Sequence, residues 1–185
     1  MPRFLDVRML ALLAAGALAL TACSDQADAP GGIDGKPLAA LNLKAAPPRE
    51  LVSLAPDEVR LRQGQALAIT VDGDPRVAAS LRFALEDGRL TILREDAGWK
   101  LPNKAILDVT MPAPTRLTEA GTGTIRAQTL ASGAQVTIAG SGDIETLDVA
   151  NDRLDVTIAG SRTYRAAGTT RAPALGTAGS GQAAT

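Results

Sequence analysis

The sequence predicts an all-β protein, with N-terminal antiparallel hairpins followed by a short right-handed β-helix-like stack of rungs about 19–20 residues long. Three observations lead to this prediction. Apolar and polar residues alternate through residues 49–111. A small-residue turn recurs at a nearly constant interval in the C-terminal half. Only four residues are aromatic, and a core of Val, Ile, Leu and Ala suits thin β layers better than a helical bundle.

The first 22 residues have the pattern of an export signal. Arg3 and Arg8 precede an apolar run, Met9 to Leu20. This run is shorter than the roughly 20 residues needed to span a bilayer. The run leads into Leu20-Thr21-Ala22-Cys23, which resembles the bacterial lipobox. An ordinary signal peptide with a stray cysteine is the alternative. Because Cys23 is the sole cysteine, we predict a lipoprotein signal peptide over residues 1–22 and lipid, such as palmitate, on Cys23.

The sequence after Cys23 indicates where the protein is held. Ser24, rather than Asp, follows the cysteine, and by analogy with enteric sorting this favours the outer membrane, on its periplasmic side or at the cell surface. Residues 23–48 are rich in Ala, Pro, Gly and Asp without sustained periodicity, which predicts a flexible tether. The folded domain is then expected over residues 49–182.

The first part of that domain, residues 49–114, contains alternating runs that predict strands. The runs are EVRLRQG, QALAITVDGDP, SLRFALEDGRLTILRED and KAILDVTMPAP. Asp87-Gly88 between two such runs is a strong hairpin signal. Pro112 and Pro114 end the last run. We therefore expect antiparallel hairpins with one buried face.

The second part, residues 115–182, repeats a turn made of Ala, Gly, Ser or Thr, and Gly. Its four copies are spaced 19, 20 and 19 residues apart, and they begin at Ala120, Ala139, Ala159 and Ala178. Apolar residues keep the same interval, both before the turns (Leu117, Val136, Val156, Leu175) and after them (Ile125, Ile144, Tyr164). We expect these to stack as inward-facing ladders, with Thr137 and Thr157 pointing outward.

Glycines at the repeated turns are expected to have a structural role, because glycine adopts positive φ cheaply and lets backbones approach closely. These turn residues are Gly121, Gly123, Gly140, Gly142, Gly160, Gly179 and Gly181. Arg162 stands where the other copies have their second glycine, so the third rung is expected to be less regular.

Composition removes several classes of function. The chain has no histidine, which excludes a Ser-His-Asp triad and the commonest transition-metal ligand. Its net charge is −1, and neither a basic excess nor an aromatic platform indicates nucleic acid. Asp143 lacks acidic counterparts at the aligned Thr124, Thr163 and Gln182, so we interpret it as a turn residue that bonds its own backbone, rather than a calcium ligand. No metal or cofactor is expected.

Other polar and aromatic residues have structural interpretations. Asp72, Asp74 and the pair Glu86-Asp87 belong to turns. A polysaccharide-cleaving enzyme would need converging acids, and the candidates are Glu145, Asp148, Asp152 and Asp155. We expect them to scatter on a solvated face. Trp99 and Tyr164 are interpreted as core or rim residues, rather than a platform for sugars.

The span from about Leu51 to Gln182 resembles the GIN head domain of auto-transporter adhesins. The motifs are LDVTMPAP, the GTGTI and GSGDI turns at Gly121 and Gly140, and a final tyrosine, glycine and proline before GSGQ. The resemblance implies a right-handed β-helix and offers no catalytic residues to carry over. This chain departs from the pattern in having few central rungs.

These observations favour a non-enzymatic, lipid-anchored envelope protein that presents a β-coil for adhesive or structural contact. Its expected partners are the membrane, through lipid on Cys23, and an envelope protein or a glycan surface. The alternative is a polysaccharide-active enzyme on a β-helix scaffold.

Overall fold

The computed structural model describes residues 33–159, 163–178 and 182–184. Within these ranges the fold is all-β, as predicted, and it contains a single short α-helix, α1 (Pro75–Ser80). The strands are β1 (Glu50–Ser53), β2 (Glu58–Gln63), β3 (Ala68–Asp72), β4 (Leu81–Glu86), β5 (Arg89–Arg94), β6 (Ile106–Met111), β7 (Arg116–Glu119), β8 (Thr124–Ala127), β9 (Ala134–Ile138), β10 (Asp143–Ala159), β11 (Thr163–Ala178) and β12 (Gln182–Ala184).

The strands lie in two rows that meet along β10. The first row runs β4–β5–β1–β7–β9 and continues into the C-terminal parts of β10 and β11. The second row runs β3–β6–β2–β8, then the N-terminal parts of β10 and β11, then β12. Because β10 contributes to both rows, the strands form one sheet, curled like a half-barrel.

The two predicted ladders are confirmed. Val136 pairs with both Leu117 and Val156 in the first row. Ile144 pairs with both Ile125 and Tyr164 in the second row. The side chains of Val136 and Val156 are buried, Thr157 is exposed and Thr137 is half-buried. The 19–20-residue interval in the sequence is therefore the chain length that returns one strand beside its predecessor.

Regular rungs are not seen among the residues that the structure describes. β10 is a continuous strand of 17 residues, and its register against β11 shifts between Thr146 and Val149. Leu147 and Asp148 have no partner in β11 because they lie in that shift.

The prediction of antiparallel hairpins in residues 49–114 is correct for one pair and wrong for most of the others. β4 and β5 form the hairpin, with Asp87 and Gly88 both at positive φ. β1 instead pairs in parallel with β5 and β7, and β2 pairs in parallel with β6 and β8. β3 is antiparallel to β6, although β3 does not adjoin β6 in the chain. Alternation identifies a strand and its buried face, but it carries no information about which strand lies beside it.

The segment before the domain lies partly against the sheet. Lys36 and Phe83 exchange backbone hydrogen bonds of 2.8 Å, and a 3-10 turn follows at Leu38–Ala40. Leu38, Leu41 and Leu43 pack against the core. The predicted tether over residues 23–48 overlaps this packed segment, and its remaining residues, 23–32, lie outside the described part of the chain.

The DGDP sequence forms a turn that begins α1. Gly73 has a φ of 128°, and Asp74 is the N-cap, accepting a 2.9 Å hydrogen bond from the Arg76 amide. Pro75 occupies the first helical turn, where its missing N–H costs nothing. The expected turn is present, but the alternating pattern does not predict the helix that follows it.

Close backbone approach, rather than positive φ, explains the repeated turn glycines. Gly140 and Gly121 are not among the described residues with positive φ. A Cβ on Gly140 would lie 2.4 Å from the Gly121 carbonyl oxygen, and a Cβ on Gly121 would lie 2.4 Å from the Leu54 carbonyl oxygen. Gly123 is equally confined by neighbouring backbone, and a Cβ on Gly142 would lie 2.5 Å from the Glu119 side chain and 2.6 Å from the Gly123 carbonyl oxygen. Gly160, Gly179 and Gly181 lie outside the described residues.

A buried ion pair fastens the corner between β1 and β2. The Arg94 guanidinium donates from Nε to Asp57 Oδ2 at 2.8 Å and from Nη2 to Asp57 Oδ1, and both side chains are fully buried. Arg94 also donates to the carbonyls of Gly98 and Asn103 at 2.9 and 3.0 Å. Asp57 Oδ1 accepts from the Ala105 amide at 2.6 Å. The pair thus joins one corner to the whole loop that connects β5 and β6.

We expect Gly140→Ala to lower the free energy of unfolding by about 1–3 kcal/mol, because the new Cβ would meet backbone that is part of the stack. Denaturant unfolding measures the change. Gly176→Ala is the matched control, since its Cβ would lie 3.9 Å from the closest atom. Equal stability of the two variants would contradict the close-approach explanation.

We expect Asp57→Asn to destabilise the domain by about 3–5 kcal/mol, because it leaves the Arg94 charge buried without a counter-charge. Thermal and denaturant unfolding both report this. Asp108→Asn breaks the exposed ion pair with Arg62 and should cost less than about 1 kcal/mol. The expectation fails if the two variants are equally stable.

Candidate binding groove

A groove of about 660 Å³ lies on the outer face of the second row. Charged residues of β2 line it, together with one arginine of β8 and an exposed leucine of β10; the lining is Glu58, Arg60, Leu61, Arg62, Arg126, Gln128 and Leu147. The groove is open to solvent, and its volume is within the range of sites that bind small molecules.

Strand alternation places these side chains outside. Val59 and Leu61 of β2 are buried, so the intervening Arg60 points to the opposite face. Ile125 and Ala127 of β8 are buried in the same way, which leaves Arg126 outside. Both edges of β2 and of β8 are already paired with other strands. A ligand in the groove therefore meets side chains rather than free backbone groups.

Two arginines stand directly opposite each other in this groove. Arg60 and Arg126 are register partners on β2 and β8. Glu58 lies between them: its Oε1 accepts from Arg60 Nε at 2.8 Å and lies 3.4 Å from Arg126 Nε. Arg126 Nη1 also donates to Glu145 at 2.7 Å. Like charges directly opposite one another destabilise a sheet, and here Glu58 and Glu145 balance the two guanidinium charges without occupying all of their N–H groups.

The ends of the groove differ in chemistry. Arg62 donates from Nε and Nη2 to Asp108, with an Nη2 distance of 3.1 Å. Gln128 uses its Oε1 to accept from the Gln63 amide at 3.1 Å. Leu147 is 55% exposed, because it follows the buried Thr146 and alternation along β10 places it on the outer face. The groove thus offers guanidinium donors beside an exposed apolar side chain.

The first row carries a comparable ion-pair ladder with a different charge order. Glu50 is the register partner of both Arg89 and Arg116. Its two carboxylate oxygens accept from Arg89 at 3.0 Å and from Arg116 at 3.0 Å. Charges alternate along this ladder, whereas Arg60 and Arg126 are adjacent in the other row. The two rows therefore provide an internal comparison.

Glu119 is a buried carboxyl group that the sequence analysis did not single out. It is fully buried beside Ser53, its register partner on β1. Its Oε1 accepts from the Gly121 and Gly123 amides at 3.0 and 3.2 Å, while Oε2 lacks a hydrogen-bond partner in the described part of the chain. Burial raises the pKa of Glu119 to about 7, and the polar neighbours limit the rise. Since its side chain is enclosed, its effect is on stability.

The candidate catalytic acids do not share an ion-pair partner among the described residues. Glu145 pairs with Arg126, Asp155 pairs with Arg153 at 3.2 Å, and Asp152 pairs with Arg171 at 3.3 Å. Asp148 is exposed in the register shift. These acids lie along the outer side of β10, each beside its own cation or in solvent.

Asp143 acts between strands rather than within its own turn. Its Oδ1 accepts from the Thr163 amide at 3.3 Å, and Thr163 begins the neighbouring β11. The interpretation as a structural residue is therefore retained, with a different bond. Among the described residues, no group of three or more Cys, Asp or Glu could hold a metal ion.

The two aromatic residues interpreted as core or rim occupy those places. Tyr164 is fully buried, and its hydroxyl lies 3.2 Å from Thr146 Oγ1. Trp99 is 37% exposed and donates from Nε1 to the Arg94 carbonyl at 3.0 Å. Cys23 lies outside the described residues. In the part of the chain that is described, no helix has the length and apolarity to cross a bilayer.

Comparison with known proteins places the fold in context. Residues 47–185 match the family model described as "Putative auto-transporter adhesin, head GIN domain". No curated protein matches the sequence.

Two solved structures are similar to the chain. A putative adhesin from Bacteroides fragilis is 13% identical, with a TM-score of 0.47 over 74% of this chain and 91% of that chain. A putative lipid binding protein from Parabacteroides distasonis is 16% identical, with a TM-score of 0.53 over 75% of this chain and 69% of that chain. The second similarity supports the fold.

We expect Glu119→Gln to change how stability depends on pH. The pKa of Glu119 is about 7 in the folded state and near its ordinary 4.5 in the unfolded chain. The folded state therefore binds more protons between these values, and its stability falls as pH rises from about 4.5 to 7, by roughly 3 kcal/mol. The variant should equal the native protein near pH 4 and exceed it in stability near pH 8.

Denaturant unfolding from pH 4 to 8 tests this expectation. Glu86→Gln is the control, because it removes the same charge from an exposed position in the β4–β5 hairpin. A native protein and a Glu119→Gln variant with parallel stability profiles would contradict the burial argument.

Proposed function

The chain belongs to the family described as putative auto-transporter adhesin, head GIN domain, and on that premise we propose that it is a lipid-anchored envelope protein whose β-domain binds a partner without catalysing a reaction. The domain is presented as a short β-helix-like stack on the outer membrane, held there through lipid on Cys23. Its role is adhesive or structural contact within the envelope or at the cell surface.

The groove on the second row is the observation that carries this proposal. The groove has a volume of about 660 Å³, and two arginines, Arg60 and Arg126, lie side by side in it on neighbouring strands. Its floor consists of middle strands, so the presented side chains rest on a rigid support. A rigid, side-chain-lined recess is suited to recognition.

The competing function, cleavage of polysaccharides, has less support. Glycoside hydrolysis uses two carboxyl groups across a bond, about 5–9.5 Å apart, with one of them kept protonated. The candidate acids Glu145 and Asp155 accept from different arginines, and neither of them lines the groove. Glu119 has a raised pKa, but its side chain is enclosed. The arrangement favours binding over hydrolysis.

We expect the membrane-extracted protein to begin at Cys23 and to carry the added mass of acyl chains. Intact mass spectrometry measures this directly. Cys23→Ala should abolish the added mass and leave the chain released or with its signal uncut, whereas Ser24→Ala should keep it. A native mature protein without lipid would overturn the anchoring part of the proposal.

Location and activity need separate readouts. Protease treatment of intact cells, followed by detection of the domain, distinguishes surface display from a periplasmic position. Incubation of the purified chain with polysaccharides, followed by a reducing-end assay, tests the enzymatic alternative, and a steady release of reducing ends would replace the binding proposal with hydrolysis.

A further inference from the structure

We propose that the groove on the second row binds an acidic polysaccharide, with the carboxylate of a uronate sugar held by Arg60 and Arg126 and the sugar ring packed against Leu147. This inference rests on the proposed binding function and adds the class of ligand and the residues that select it.

Arg60 and Arg126 have hydrogen-bond donors that the protein does not use. A guanidinium has five N–H donors. Arg60 uses Nε toward Glu58, and Arg126 uses Nη1 toward Glu145 with Nε near Glu58. The remaining terminal N–H groups of both side chains make no hydrogen bond within the described protein, and both side chains are about half exposed. Planar guanidinium groups with available donors match the geometry of a carboxylate.

The charge order along the second row distinguishes this position. On its outer side, the register partners run Asp108, Arg60, Arg126, Glu145, Arg165. Arg60 and Arg126 are adjacent, with one anion on the far side of each. An anionic group placed over this pair meets two guanidinium groups, with Glu58 as the one carboxylate between them. The first row alternates Arg89, Glu50 and Arg116 and offers no equivalent position.

The strands and side chains around the two arginines favour a polysaccharide among anionic partners. The floor strands β2 and β8 are paired on both edges, so a peptide cannot be added to them as a further strand. Leu147 offers an apolar wall to the C–H face of a sugar ring, and Gln128 and Glu58 are within the same lining to meet hydroxyl groups. These groups together suit a charged sugar.

Binding of a galacturonate hexasaccharide to the full-length chain in a non-ionic detergent tests the proposal, with titration calorimetry as the readout. We expect saturable binding that weakens as salt is raised, because screening acts on half-exposed charges. A neutral glucose hexasaccharide of the same length should bind at least about tenfold more weakly, since it lacks the group that the arginines receive. Equal affinity for the two oligosaccharides would overturn the proposal.

The variants separate this groove from general charge. Arg60→Gln and Arg126→Gln should each weaken binding about tenfold, as expected for loss of a charge-assisted hydrogen bond. Arg116→Gln is the matched control, because it removes the same charge from the ladder of the first row. If Arg116→Gln weakens binding as much as Arg126→Gln, the interaction is with overall charge and the assignment is wrong.

Further arms address folding and the other anionic ligands. Leu147→Ser removes the apolar wall without breaking an ion pair, and we expect a severalfold loss of affinity. This variant still tests the proposal if Arg126→Gln does not fold. Inorganic phosphate that binds as tightly as the hexasaccharide would show that the sugar contributes nothing and would overturn the proposal. Binding to phosphatidylglycerol vesicles without binding to the hexasaccharide would overturn it in favour of a lipid surface. Neither result would affect the mass measurement at Cys23, so the two proposals fail separately.

Discussion

The close stacking of parallel strands is the constraint on which the rest of this structure depends. Neighbouring strands in a sheet lie about 4.7–4.9 Å apart, and the corners between them must keep the same spacing. At Gly121 and Gly140 the corner backbones are so close that a Cβ would lie 2.4 Å from a carbonyl oxygen of the adjacent corner. The same stacking aligns the apolar residues as inward ladders. Corner glycines and buried ladders are two consequences of one spacing.

Between β2 and β5 the chain leaves the stack of parallel strands, and a buried ion pair stabilises the corner next to this excursion. After β2 the chain leaves through β3, α1 and β4, then returns as β5 beside β1. The buried pair of Asp57 and Arg94 joins the corner after β1 to the loop after β5, with hydrogen bonds to surrounding backbone. A buried pair gains stability only when its other donors and acceptors are largely satisfied, and here four of the five guanidinium N–H groups of Arg94 donate hydrogen bonds. It therefore fixes which corners are adjacent.

The outer faces are free of these packing constraints, and there the two rows differ. The first row alternates charge around Glu50, which favours a self-contained ladder. The second row brings Arg60 and Arg126 together beside Leu147, an arrangement that local stability alone does not favour. The groove therefore lacks the alternation of charge that stabilises the first row. Local departures from stabilising arrangements are expected at functional sites.

The sequence by itself determined the all-β class, the buried ladders, the β4–β5 hairpin and the positions of the corner glycines, because these follow from side-chain periodicity and local backbone preference. Only the tertiary structure decided that β1 lies between β5 and β7, that Asp57 meets Arg94, and that Glu119 is enclosed with Ser53. The tertiary structure also decided the groove, since Arg60 and Arg126 are 66 residues apart in the sequence. Periodicity reports which face a residue occupies, whereas the neighbours on that face depend on the register of strands distant in sequence.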